Sequence, residues 1–192
     1  MEVISREGEF IGRGIYNHNS NIGIRLLTEN ISEMVGREFF HHKLEIAKAL
    51  REEILGIGKT SNCYRLIHGE ADGLSGLIID KFADVFVVEP YSAGYIEIMG
   101  WISSSLKTLY PGCRIVVRPD ERTAAKENVD FSKVARAYPG PDSVEIKEHR
   151  LRMQVNLNTG HKTGFFLDQR ENRLALSQYC YGKEVLDCFC YT

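Results

Sequence analysis

Apolar residues recur along this chain with two periods, and the switches between them outline its elements. Between Gly36 and Leu55, Phe40, Leu44, Ala47, Leu50 and Ile54 follow at steps of three and four, which places them on one helix face. Gly56 and Gly58 come next, and glycine ends helices readily because it tolerates a left-handed cap. Upstream, "EVISREG", "EFIGRGIYN" and "IGIRLLTE" read as short strands set apart by a Gly8 turn and a polar "NHNSN" loop. "GIGKTSN" reads as a hinge, because a lone GxGK lacks the flanking glycine and strand of a phosphate loop.

Further on, Leu77–Asp80 and Val85–Glu89 read as strands around a "KFAD" hairpin turn. Ile98, Ile102, Leu106 and Leu109 predict a helix over Tyr95–Tyr110, and "RIVVRP" a strand after it. That order suggests a small α+β domain. Past a Pro-Gly-Pro stretch at 139–141, "VEIKEHRLRMQVNL" alternates as a second hairpin turning near His149. A helix is expected from Asp168, its candidate N-cap, with Leu174 and Tyr181 on one side and Gly182 closing it. "KEVLDCF" then reads as a buried strand. A helix leading into such a strand is an α/β signature.

Composition adds bounds rather than a function. The 192 residues are 43% hydrophobic and 26% charged with a net charge of −2, a globular balance that permits one or two domains. No stretch approaches the roughly 20 apolar residues of a membrane helix, and the N-terminus lacks a signal-peptide pattern, so a cytoplasmic protein is expected. The segment from Arg114 to Arg173 is basic on balance and Ser61–Cys113 acidic, which leaves room for an RNA partner. Cys63, Cys113, Cys180, Cys188 and Cys190 form no CxxC pair, so reduced thiols are expected rather than zinc or disulfides. His41 and His42 are adjacent and point to different helix faces, which disfavours chelation.

Two stretches could carry chemistry. "GHKTGFFLDQRENR" sets paired aromatics beside a carboxylate, an amide and a guanidinium, groups suited to stacking an adenine and anchoring a ribose or amino acid. On chemistry alone, a capped helix start with two core aromatics is slightly favoured. In "VLDCFCYT", Asp187 stands at the carboxyl end of the expected strand, where open α/β sheets bind ligands. A strand-end aspartate facing water fits as well, and adenosylmethionine and nicotinamide sites are not told apart there. "HGEADGLSGLIID" holds Glu70 and Asp72, but tight turns before a hairpin explain it better than an acid/base pair.

Together with "GEFIGRGIYNHNSNIGIRLLT" and "YRLIHGEADGLSGLIIDKFADVFVV", these two stretches follow the order and spacing of one family. The chain resembles, along its whole length, the adenosylmethionine-dependent RNA methyltransferases typified by the large-subunit ribosomal RNA cytosine-5 enzyme. The resemblance implies an α+β chain with the beginning of an α/β domain. It would comprise a partial PUA-like β-barrel for RNA over 1–58 and a small central α+β domain over 61–140. The first hairpin, helix and strand of a Rossmann-like methyltransferase domain would follow over 143–192. On this reading the chain is an N-terminal part, truncated early in that last domain and itself inactive.

The resemblance also implies roles for residues. Lys162, Thr163, Phe165, Asp168, Gln169 and Arg170 would face or support S-adenosylmethionine, with Asp187, Tyr191 and Thr192 in the loop beneath it. His161 stands where many relatives have glutamine. Arg13, Tyr16 and Arg25 are candidate RNA contacts. The cysteine that adds to the cytosine ring in that family lies downstream of Thr192, so no catalytic residue is assigned here, and Cys188 and Cys190 belong to the cofactor loop. Ribosomal RNA is the implied partner, no metal and no membrane are implied, and an unpaired "EVLDCF" strand would favour a homodimer. Two rivals remain at this point: a non-catalytic PUA-type RNA-binding module, and a truncated nucleotide-dependent oxidoreductase whose first Rossmann strand is "EVLDCF".

Overall fold

The computed structural model describes residues 1–158 and 162–188. Its centre is one sheet of four strands in the order β4-β5-β6-β7, with a separate hydrophobic core on each face.

Residues near the N-terminus build a smaller sheet from β1 (Glu2–Ile4), β2 (Phe10–Tyr16) and β3 (Ile24–Thr28), all antiparallel. Among the described residues this sheet does not close into a barrel, so the expected partial barrel is an open three-stranded sheet here. Gly14 lets β2 and β3 approach closely, because a Cβ at that position would lie 2.2 Å from the Arg25 carbonyl oxygen. The small sheet is tied to the rest of the chain. Arg25 Nη2 donates to the Tyr91 carbonyl at 3.2 Å, Asn17 Nδ2 donates to the Glu127 carboxylate at 3.0 Å, and Leu27 joins the larger core.

The first long helix, α1 (Arg37–Ala49), buries Phe40 and Leu44 as the periodicity expects, and then widens into a π turn over Leu50–Ile54. The wider turn shifts the face on which a step of four lands, and Ile54 is 75% exposed instead of sharing the apolar stripe. Gly56 adopts φ 61° and ends the helix, whereas Gly58 sits inside a short 3₁₀ turn, Ile57–Lys59. The stretch read as a hinge is held in place. The Asn62 N–H donates to the Lys147 carbonyl at 3.0 Å and the His149 N–H to the Thr60 carbonyl at 2.6 Å.

In the main sheet, β4 (Cys63–His68), β5 (Leu77–Phe82) and β6 (Val85–Pro90) form an antiparallel meander. Helix α2 (Gly94–Leu109) then crosses over to β7 (Arg114–Val117), which lies parallel to β6. The "KFAD" turn tightens to two residues, with Ala83 at φ 54°, because pairing continues through Phe82↔Val85. Tyr64, Leu66, Ile79, Phe86 and Val88 face α1 and α2, while Cys63, Phe82, Val85 and Val87 face the opposite way.

Two further helices, α3 (Glu121–Glu127) and α4 (Ser132–Ala137), are too short for periodicity to reveal. Their signal was local. Asp120 caps α3 by accepting the Thr123 N–H at 2.9 Å, and Asn128 closes it at φ 50°.

The second hairpin, β8 (Ser143–Glu148) and β9 (Leu151–Asn156), turns at His149 as expected and covers the far face of the sheet. Helix α5 (Arg170–Cys180) follows a 3₁₀ turn over Leu167–Gln169. Its N-cap is Gln169, not Asp168, whose carboxylate is drawn instead to Lys162 Nζ at 3.0 Å. Gly182 takes φ 65° just past the helix. The buried strand expected from "KEVLDCF" is absent over 183–188, where Leu186 is 85% exposed. Among the described residues no strand lies alongside this segment; its Lys183 N–H donates instead to the Cys180 carbonyl at 3.0 Å.

Candidate functional site

The segment 162–173 packs against the β4–β5 side of the main sheet, and one buried carboxylate organises the contact. Asp80 on β5 accepts Arg65 Nε at 2.8 Å and Nη2 at 2.9 Å, and the Thr163 hydroxyl at 2.5 Å. The side chain of Asp80 is 1% exposed, so three donors compensate a charge withdrawn from water. The same contact raises the pKa of Arg65 above its ordinary value, chiefly through its hydrogen bonds with Asp80. Phe165 completes the anchor. Its ring is 4% exposed in the core under β8 and β9, and the Arg173 guanidinium sits 4.4 Å from its centroid. Arg173 in turn donates to both oxygens of buried Glu148, at 2.7 and 2.6 Å, and to the Phe166 carbonyl at 3.0 Å.

Above this anchor the segment turns outward. Lys162 pairs with Asp168 and lies 4.6 Å from the Phe166 ring centroid. Hydrogen bonding from Lys162 holds the Asp168 carboxyl below its ordinary range. Gln169 is exposed and accepts from Asn172 at 2.8 Å, while Arg170 donates through Nε to Glu171 at 2.9 Å. Asp168 and Arg170 line a cleft of about 220 Å³ together with Arg51, Tyr64, Arg65 and His68. Arg65 and Arg170 already have carboxylate partners, Asp80 and Glu171. Arg51 is itself braced by a bidentate pair with Asp72, at 2.6 and 2.8 Å.

The sequence-derived residues therefore separate into two groups. Thr163 and Phe165 are interior anchors, whereas Lys162, Asp168, Gln169 and Arg170 are on the outer side of the same segment. Asp187 lies on the exposed stretch after α5, and the cleft beside Arg170 is lined by neither Asp187 nor Phe165. Tyr191, Thr192 and His161 fall outside the described residues.

On the small sheet, Arg13 donates to Glu2, to the Ile31 carbonyl at 2.7 Å and to the Glu33 carbonyl at 2.8 Å. Arg25 reaches across to Tyr91, and Tyr16 is 55% exposed beside the His18 ring. Arg51, Arg65 and His68 were missed by the sequence reading. They come from α1's end and β4, and only the tertiary fold brings them to Arg170.

Among the described residues there is no cluster of three or more side chains able to hold a metal, and no helix long and apolar enough to cross a membrane. Glu70 and Asp72 take the structural role expected of that turn. Glu70 accepts the Ser75 hydroxyl at 2.8 Å, and Asp72 holds Arg51.

Comparison with known proteins bears first on the fold. Residues 1–29 match the model of a PUA-like domain. The fold as a whole is shared with a protein of Streptococcus mutans assigned as a SAM-dependent methyltransferase, at a TM-score of 0.69 and 22% identity over 91% of this chain and 44% of that one. A crystal structure of an assigned methyltransferase complexed with SAH aligns at a TM-score of 0.70 and 22% identity, with the same coverage.

Particular relatives follow. The chain is 38% identical over its whole length to ribosomal RNA large subunit methyltransferase I of Photobacterium profundum, and 38% identical to the Escherichia coli protein of that name. It spans about half the length of these curated relatives, 48% of each.

Proposed function

We propose that this chain acts in S-adenosylmethionine-dependent methylation of large-subunit ribosomal RNA, with carbon 5 of a cytosine as the target atom. The observation that carries this reading is the 38% identity to ribosomal RNA large subunit methyltransferase I, sustained over all of the chain. The chemistry of the outer 162–170 surface fits the donor. Arg170 would take its carboxylate, and Asp168 with Gln169 its ribose hydroxyls or ammonium group. Asp187, Tyr191 and Thr192 would supply the rest of that pocket.

When bound, S-adenosylmethionine supplies an electrophilic methyl group. The chain's own part is to hold and orient it and to engage RNA. Arg13, Tyr16 and Arg25 of the PUA-like segment, within 1–58, are the proposed RNA side, and 61–140 spaces that segment from the donor-binding part at 143–192. The proposed setting is cytoplasmic. None of the chain's cysteines is assigned as the nucleophile. Burial raises the Cys63 and Cys113 thiols, which works against a reactive thiolate.

The test is a hybrid enzyme. This chain replaces the corresponding half of the Escherichia coli relative, and the product is assayed with unmodified large-subunit ribosomal RNA and methyl-labelled S-adenosylmethionine. Label at carbon 5 of a single cytosine, mapped by mass spectrometry, is the expected result. A folded hybrid that binds the donor yet transfers no methyl group to RNA would overturn the proposal.

A further inference from the structure

Positive charge with no strong ion-pair partner collects at the tip of the second hairpin. The side chains of Arg13 and Arg25, the arginines expected to meet RNA, are only 11% and 12% exposed and donate within the protein, to Glu2 and to backbone carbonyls. Lys59, Lys147 and Arg150 differ: they are exposed and form no ion pair among the described residues. Arg152 meets Glu145 at 3.2 Å, but both side chains stand in solvent, where such a pair holds little. The register sets Lys147 directly opposite Arg152, on the face of the hairpin turned away from the core. Like charges facing each other across two strands repel, and an anion between them would remove that cost.

Two segments distant in the chain fix these groups on a common backbone. The Lys147 N–H donates to Asn62 Oδ1 at 2.7 Å, the Asn62 N–H returns to the Lys147 carbonyl, and the His149 N–H reaches the Thr60 carbonyl. Ser61 and Glu148 complete the pairing as an antiparallel bridge. Lys59 and Arg150 therefore border one cleft of about 800 Å³, between the hairpin tip and α5. Glu148, the carboxylate on its lining, is buried and gives both oxygens to Arg173. The charge left facing solvent at the cleft is that of Lys59 and Arg150. Exposed Leu151 and Leu174 add an apolar wall.

We infer that the tip of the β8–β9 hairpin, with the Lys59 turn beside it, is an RNA-binding surface for a single-stranded or looped segment. The choice of RNA rests on the reading of the chain as part of an RNA methyltransferase; the place of contact rests on the geometry. Phosphates meet Lys147 and Arg152 on the outer face of the hairpin and Lys59 and Arg150 at the cleft. An unstacked base enters the cleft against Leu151 and Leu174, since single strands offer their bases in this way. The paired backbone holds the cations in place beforehand, which lowers the ordering cost of binding. A recess among the cations favours a nucleotide over a lipid surface, which calls for an apolar face that can sink into the bilayer.

The experiment measures binding apart from methylation. The chain is titrated by filter binding against an unmodified transcript of large-subunit ribosomal RNA, from about 50 to 200 mM salt. The fourfold variant Lys59→Gln, Lys147→Gln, Arg150→Gln and Arg152→Gln should bind at least about tenfold more weakly at the lowest salt, with a salt slope shallower by about 3. Leu151→Ser should weaken binding about threefold and leave the slope unchanged, because an apolar contact releases no counterions. Lys126→Gln with Lys133→Gln, equally exposed on α3 and α4, should change affinity less than about twofold. Unchanged affinity in the fourfold variant or in Leu151→Ser would overturn the inference, and lost adhesion of the fourfold variant to phosphatidylserine vesicles would then give the patch to a membrane. An equal loss in the Lys126 and Lys133 pair would overturn it too. Binding that depends on the hairpin, beside a hybrid enzyme that transfers no methyl group, would sustain this surface and end the methyltransferase reading.

Discussion

Helices α2 and α5 are similarly amphipathic, but α2 is far richer in apolar residues, and they end in opposite circumstances. Tyr95, Ile102 and Leu106 of α2 are fully buried against the main sheet, while α5 buries none of its residues and leaves Tyr179 78% exposed. Their composition and the surface each meets together separate them. A sheet face of Leu66, Ile79, Phe86 and Val88 removes one helix face from water, worth roughly 25 cal/mol per Å² of apolar area. Helix α5 is held at one end by the Arg173–Glu148 pair and by Phe165 beneath it. The central body is thus stabilised by burial, and the candidate site by a few directional contacts. A region of that second kind opens at lower free energy, which would suit the ligand-binding role proposed for it.

Removing the contact that joins the two regions is expected to have the largest effect. Asp80→Ala strands Arg65 and frees Thr163, and should cost about 4 kcal/mol in a urea unfolding titration. Loss below about 1 kcal/mol would mean that the segment 162–173 is anchored elsewhere. Next comes the core itself. Leu44→Ala should cost about 3 kcal/mol by the same measurement, through lost transfer energy and the cavity left behind. Leu176→Ala, on the exposed side of α5, should stay within about 0.5 kcal/mol. Equal costs at Leu44 and Leu176 would erase the distinction. Between these extremes lies Arg173→Ala, expected to cost about 2 kcal/mol by leaving Glu148 unpaired. Its loss should appear first as faster amide exchange across α5, while α2 stays protected.

What the sequence made legible follows the same division. Phe40 and Leu44, Ile102 and Leu106, and the β5–β6 hairpin were readable because burial imposes a period on the residues that supply it. The His149 turn was readable from the alternation on either side of it. Where local geometry overrode the period, the reading failed: the π turn at 50–54 carried Ile54 into solvent, and α3 and α4 were too short to repeat. The strand expected at "KEVLDCF" failed for another reason, since apolar residues specify a strand only when a neighbour is present to pair with it.

At the candidate site, the aromatic and polar string around Phe165 stood out as unusual, but its composition could not tell anchors from contacts. Thr163 proved interior because Asp80, 83 residues upstream, accepts its hydroxyl, and Phe165 because it joins the core formed with β8 and β9. Arg51 and Arg65 escaped notice because an arginine on a helix or strand announces nothing until the fold gives it neighbours.

The smallest expected effect sharpens the contrast between anchor and surface most finely. Asp168 titrates below the ordinary aspartate value of 3.8 because Lys162 donates to it, so its ionised form is favoured by folding. A carboxyl lowered in this way adds stability above its unfolded pKa of about 3.9, and the contribution fades as pH falls through the folded value. Since both side chains are well exposed, solvent screening should keep the contribution well below 1 kcal/mol. A carboxyl-carbon NMR titration should therefore place Asp168 below 3.8, and Lys162→Ala should raise it toward that value with almost no change in the urea midpoint. Were the midpoint instead to fall as far as it does for Asp80→Ala, the Lys162–Asp168 pair would be a structural clamp like its buried neighbour. The outer surface of the segment would then no longer be available to bind a ligand without loosening the fold.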